Sequence, residues 1–119
     1  MLKATKKTIN RPYGITRAVS YITENFTEYI SIAQLAELSH MSKSNFYAAF
    51  KKQFGISPIS YINHYRLSIA AEKLIESNLS VKEIAFSVGI NDSLYFSKLF
   101  KKEYGMAPGK YRLMQKNMK

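Results

Sequence analysis

The chemistry this chain offers is carried by two sets of four residues, fifty positions apart: Ser44, Tyr47, Ala48 and Lys51, then Leu94, Ser97, Lys98 and Lys101. Each set falls at i, i+3, i+4 and i+7, the spacing of one face of a helix. The hydroxyls of Ser44 and Tyr47 can hydrogen-bond base edges or phosphates, whereas Ala48 can only touch a thymine methyl. Lys51, Lys52, Lys101 and Lys102 lie deeper along each helix and fit phosphates better than bases. Asn45, at the flank of the first set, either reaches a base or supports the helix cap. Leu94 is open between an ordinary exposed leucine and one packed on a thymine methyl. Tyr95 is open between a phosphate contact through its hydroxyl and a place in the core.

Two helices must present these faces, and both follow from local signals. Phe96, Phe100 and Tyr104 recur every four residues on a second, apolar side of the later helix, and Phe46, Phe50 and Phe54 do so on the earlier one. Such stripes read as core rather than as platforms for stacking bases. Ahead of each lies a short helix opened by a capping box, Ser31 with Gln34 and Ser80 with Glu83. Gly89 ends the second of these short helices, and Asp92 stands where the next N-cap belongs. A short helix, a tight turn and a second helix make a helix-turn-helix, whose second helix can enter a DNA major groove.

The unit occurs twice. Between 46 and 61, seven of sixteen positions are identical at a shift of fifty: Phe46/Phe96, Phe50/Phe100, Lys51/Lys101, Lys52/Lys102, Gly55/Gly105, Pro58/Pro108 and Tyr61/Tyr111. Upstream the shift is forty-nine, matching Ser31/Ser80, Leu35/Ile84, Ala36/Ala85 and Met41/Ile90, so the second copy has one more residue in its turn. A repeat fixes architecture more firmly than a lone motif does.

With 119 residues, 46% of them apolar, the chain can bury one sizeable core or two small ones. Its 18 Lys and Arg outnumber 8 Asp and Glu, giving a net charge of +10 that favours nucleic acid or another anionic surface. No acidic residue lies between Glu37 and Glu72 or after Glu103. There is no cysteine, hence no disulfide framework or thiolate metal site, which suits a reducing cytosol. No apolar run approaches the roughly 20 residues of a membrane span, and the basic N-terminus lacks the apolar centre of a secretory signal.

In chain order, residues 1–14 are expected to be a flexible basic lead-in or linker. Residues 15–57 form the first helix-turn-helix subdomain, 58–77 a connecting helix, 78–115 the second subdomain, and 116–119 a tail. The first helix is expected from Thr16 to near Tyr29, through Val19, Ile22 and Phe26. His40 and Met41 make the first turn, and Ser42 caps the helix over about 43–54. Ser57-Pro58 starts the connector, apolar through Ile59, Ile62, Tyr65 and Ile69 on one side and Leu67, Ala70, Ala71 and Leu74 on the other. At about 30 Å for about twenty residues, the connector's length permits two recognition helices about one turn of DNA apart. The fold expected is all-α, with about seven helices.

These residues resemble the DNA-binding domain of the AraC/XylS family of bacterial transcription regulators. The stretch that carries the likeness is Ile84-Ala85, Gly89, Asp92, Tyr95-Phe96, Phe100-Lys101-Lys102, Gly105, Pro108 and Tyr111-Arg112. A linker-helix pattern joins it in Tyr61-Ile62, Tyr65-Arg66-Leu67, Ala70 and Leu74. The resemblance spans about residues 16–114. It implies a monomeric domain in which helices 43–54 and 93–104 enter successive major grooves, regulating transcription beside RNA polymerase in the bacterial cytoplasm, at the nucleoid. It makes Ser44, Asn45, Tyr47, Ala48, Leu94, Tyr95, Ser97 and Lys98 the base-facing candidates. Ser31, Ser42, Lys43, Lys51, Lys52, Ser80, Lys101 and Lys102 are the phosphate candidates. No cofactor or metal is implied. A small-molecule effector enters only through a separate N-terminal domain. Two positions depart from the family pattern: Ile90 stands where an aromatic is usual, and Lys98 where a base-reading arginine is frequent. A lysine lacks the bidentate fork, so base reading there is weaker or different.

Two other classes compete. An enzyme would need a catalytic constellation, yet His40 and His64 have no evident carboxylate partner in the sequence and no metal-binding spacing. A nonspecific DNA binder, an RNA binder or a helical protein-interaction module needing a missing domain would keep the fold. RNA readers of single strands usually stack bases on exposed aromatics, which here are committed to the stripes. Arg66 and Arg112 remain open between internal ion pairs and contacts to backbone.

Overall fold

The computed structural model traces helix from Leu2 and describes residues 14–118 with their side chains, and helix follows helix throughout them. The order is α1 (Leu2–Asn25), α2 (Ile32–Leu38), α3 (Lys43–Phe54), α4 (Pro58–Glu76), α5 (Val81–Ser87), α6 (Ser93–Tyr104) and α7 (Pro108–Asn117). No strand occurs among the described residues. The lead-in reading of residues 1–13 lies outside them. Gly14, its last residue, does not: it is buried within α1. At its other end α1 stops at Asn25, four residues before Tyr29. There Asn25 Nδ2 donates to the carbonyl of Tyr21, and the Glu28 N–H closes a turn onto the Asn25 carbonyl.

The chain divides into two compact units, Met1–Ile62 and Asn63–Lys119, with the boundary inside α4. In the first, Ile15, Ala18, Ile22, Leu35, Ala36, Phe46, Phe50 and Ile62 form the core. Gly14 sits against the end of α2. The Ser39 hydroxyl donates at 2.9 Å toward both the Gly14 and Leu35 carbonyls, and a methyl group on Gly14 would lie 2.9 Å from the Ser39 carbonyl oxygen. Glycine is therefore required by close approach, a role its position at the end of a basic, aperiodic stretch did not suggest.

The second unit repeats the plan. Leu67, Ala70, Ala71, Leu74, Ile84, Ala85, Val88, Ile90, Phe96 and Phe100 are buried. Phe100, Tyr104 and Tyr111 make an aromatic trio with ring centroids 4.5–5.4 Å apart, as Phe50, Phe54 and Tyr61 do at 4.6–5.4 Å in the first unit. Burial, then Glu103, Tyr111 and Glu72, hold the Tyr104 phenol above its usual pKa, so it stays protonated. Phe54 is the edge of its stripe rather than its centre, 37% exposed, because it closes the last turn of α3. Ile59, expected on a buried side of α4, is 56% exposed, since the first turn of α4 is covered only along the side of Pro58 and Ile62.

Candidate nucleic-acid interface

Each unit positions its second helix by caps that the sequence supplies. Ser31 and Ser80 accept from the N–H of Gln34 and Glu83, whose side chains accept from the Ser31 and Ser80 N–H in return. These hydrogen bonds, that from the backbone first, hold the Glu83 carboxyl below its usual pKa, so it is charged at neutral pH. In the turns, Met41 N–H donates to the Ala36 carbonyl at 3.0 Å and Ile90 N–H to the Ala85 carbonyl at 2.9 Å. Both turns need one residue with positive φ: Gly89 at 90° and, at the matching place, His40 at 57°. Histidine is tolerated there, at a modest steric cost that glycine avoids. Ile90 is buried in the core of its unit.

The extra residue of the second turn is visible in the caps. The caps of α2 and α5, Ser31 and Ser80, are 49 apart; those of α3 and α6, Ser42 and Asp92, are 50 apart. Ser42 Oγ accepts from Asn45 N–H at 3.2 Å, while Asp92 Oδ1 accepts from both Leu94 and Tyr95 N–H at 3.0 and 3.1 Å. Gly55 and Gly105, both at φ 80°, end the two helices one turn after their lysine pairs.

The two faces read from the spacing are outward faces. On α3, Ser44, Asn45, Tyr47, Ala48 and Lys51 are all exposed, while Phe46 and Phe50 on the same helix are buried. Asn45 serves the cap through its backbone N–H, with its side chain on the exposed side. On α6, Leu94, Lys98 and Lys101 are exposed and Ser97 is half-buried. Tyr95 is 50% exposed, which removes it from the core. Lys43, Lys52 and Lys102 are exposed as well. Lys51, Lys52, Lys101 and Lys102 occupy the last turns of α3 and α6, where they also complement the negative helix end. Their charge thus has a helix-stabilising role in addition to any phosphate.

Two polar residues find partners that the sequence did not show. His64 Nδ1 on α4 pairs with Glu103 Oε2 on α6, a carboxylate partner that the sequence does not make evident. The pair is solvent-facing, with the His64 side chain 61% exposed, and it links α4 to α6 within the second unit. Arg112 settles on backbone: its Nε donates to the Leu74 carbonyl at 2.9 Å, and its Nη2 to those of Leu79 and Ser77 at 2.6 and 3.3 Å. It ties α7 to the end of α4. Arg66 is half-buried, and that burial lowers its guanidinium pKa. Among the described residues no group of His, Asp or Glu is placed to hold a metal, and no helix is long and apolar enough to cross a membrane.

A family model described as a helix-turn-helix domain matches residues 35–114. The chain is 40% identical over 96 residues to the bifunctional transcriptional activator/DNA repair enzyme AdaA of Bacillus subtilis (strain 168), covering 81% of this chain and 46% of that protein. The C-terminal domain of AraT, a response regulator from Geobacillus stearothermophilus, superposes with a TM-score of 0.80 at 33% identity, over 85% of this chain and 84% of that one. The DNA-binding domain of AdpA, a global transcriptional factor solved in complex with a target DNA, shares the fold. Its TM-score is 0.84 at 24% identity, over 88% and 95% of the two chains. This chain spans less than half the length of the curated relatives it matches.

Proposed function

This chain belongs to the AraC-type helix-turn-helix family, whose domains bind DNA sequence-specifically to regulate transcription, and we propose that it does so with α3 and α6 in successive major grooves of one duplex. The observation that carries this reading is the repeat itself. Two helices, fifty residues apart, bury the same phenylalanines and turn outward faces of donors, acceptors and lysines. Ser44, Asn45, Tyr47 and Ala48 read bases in one groove; Leu94, Tyr95, Ser97 and Lys98 read them in the other. Lys98 donates to guanine O6 or N7 as a point charge. Ser31, Ser42, Lys43, Lys51, Lys52, Ser80, Lys101 and Lys102 hold phosphates. The charged Glu83 beside Ser80 opposes a phosphate there, whereas the neutral Gln34 beside Ser31 does not, so the first unit grips the backbone more firmly at this point.

The chain acts by binding, without catalysis of its own, as a monomer in the bacterial cytoplasm, with RNA polymerase as its protein partner on DNA. Any small-molecule effector acts through a further domain of a longer regulator. Selection of bound sequences from a random duplex library tests this function. Two enriched blocks about 10 bp apart are expected, with affinity falling steeply with salt as several phosphates are engaged. Lys98→Ala should relax one position of one block. Uniform binding without enrichment would replace the reading with a nonspecific DNA binder, and binding to single-stranded RNA in preference to duplex DNA would overturn it.

A further inference from the structure

Leu94 is the one aliphatic side chain on the outward face of α6, and it is 74% exposed. An exposed leucine is ordinary in general. This one is not spillover from the core stripe. At about 100° per residue it lies about 200° around the helix from buried Phe96. It heads the row that continues through Ser97, Lys98 and Lys101. It occupies the first turn, the part of a recognition helix that meets base edges. Its backbone is also fixed, because Asp92 Oδ1 accepts from its N–H at 3.0 Å and from that of Tyr95 at 3.1 Å. The corresponding residue of α3 is Ser44, so the two outward faces differ in chemistry at this position.

We infer that Leu94 is a methyl reader: it packs on the C5-methyl of one thymine in the block contacted by α6. This rests on the proposal that α6 enters a major groove. In that groove the thymine methyl is the only apolar group a base pair presents, and leucine, which has no donor or acceptor, can discriminate there only by covering it. Lys98, one helical turn further on, reads a different base on the same ridge. Thymine is thereby favoured at one position and a hydrogen-bonding base at its neighbour, whereas Ser44, at the matching position of the first unit, carries no such methyl preference.

The test uses the 119-residue chain and its selected duplex, with each thymine of the second block replaced in turn by deoxyuridine, which removes only the methyl. The wild type should lose about fourfold in affinity at one position and little at the others. Leu94→Ala should bind thymine and deoxyuridine duplexes equally, with an unchanged melting temperature because the side chain is exposed. Placing 5-methylcytosine and cytosine at the sensitive position separates the methyl from the rest of thymine. The wild type should prefer the methylated base, and Leu94→Ala should not. Two enriched blocks with no deoxyuridine-sensitive position, or a sensitivity that survives Leu94→Ala, would overturn this inference while leaving the proposed function intact. Absence of any second block would overturn both.

Discussion

Replacing Gly14 with alanine tests whether the first unit is packed as described, because the sign of the effect distinguishes three situations. In a solvated linker the change would be nearly neutral. In an ordinary helix interior it would stabilise by about 1 kcal/mol, the propensity difference between the two residues. Here the new methyl would stand 2.9 Å from the Ser39 carbonyl oxygen and 3.4 Å from its Cα. Ser39 cannot yield easily: its N–H donates to the Leu35 and Ala36 carbonyls at 3.1 Å, and its buried hydroxyl donates toward the Leu35 and Gly14 carbonyls at 2.9 Å. Overpacking against such a site costs about 1–3 kcal/mol. Setting that against the propensity gain leaves a net loss of about 1 kcal/mol, or a drop of about 4 °C in melting temperature for a chain of this size. Urea denaturation followed by circular dichroism at 222 nm measures it. A Gly14→Ala midpoint equal to or above that of the wild type would refute the reasoning.

Four further substitutions test other contacts. Ser57 Oγ accepts from the Ser60 N–H at the start of α4, but Ala107, at the same place before α7, makes no side-chain cap, so Ala107→Ser should stabilise by about 0.5–1 kcal/mol in urea denaturation. Arg112→Lys should cost about 1–2 kcal/mol by the same assay, because one ammonium cannot reproduce a fork that serves three carbonyls, whereas Lys116→Ala, which loses only an exposed bond to Asn78, should change stability by less than about 0.5 kcal/mol. Glu83 has its folded-state pKa lowered by the capping box, so its contribution is present above its unfolded-state value and lost as pH falls through the lower folded-state one. Thermal melts across that acid range should show a decline in the wild type that is reduced in Glu83→Gln.

The features legible in the sequence are those decided within a turn or two of chain. Capping boxes at Ser31 and Ser80, left-handed glycines at 55 and 105, and buried phenylalanines at 46, 50, 96 and 100 all depend on near neighbours, and each stands where local pattern put it, whereas Phe54 at the helix end does not. The outward faces followed from the stripes, being what remains of each helix once its buried side is known. The repeat did more than any single motif, since it also located the longer second turn.

Features formed between distant residues were not legible. His64 meets Glu103 across 39 positions, and Arg112 reaches carbonyls 33 to 38 positions back. Neither contact leaves a spacing signature. Gly14 looked like a linker glycine because its reason, the Ser39 carbonyl, lies 25 residues away. A glycine adjoining a helical pattern was the available signal, and packing against a neighbour is a common reason for one. His40 hid its positive φ because histidine rarely announces one; its alignment with Gly89 in the repeat was the clue. Tyr95 was undecided on spacing alone, lying beside Phe96 at the boundary of the stripe, and only burial separates the two sides.

The most direct test of the account is to repeat the duplex selection with each outward face removed in turn. One variant carries Ser44→Ala and Tyr47→Ala, the other Ser97→Ala and Lys98→Ala. The first pair of side chains is exposed and Ser97 is only half-buried, so both variants should fold. Each variant should lose the sequence preference of one block and keep that of the other, and the block lost should differ between them. If both variants lose the same block, or neither loses any, the two helices do not read DNA separately and the central claim is wrong.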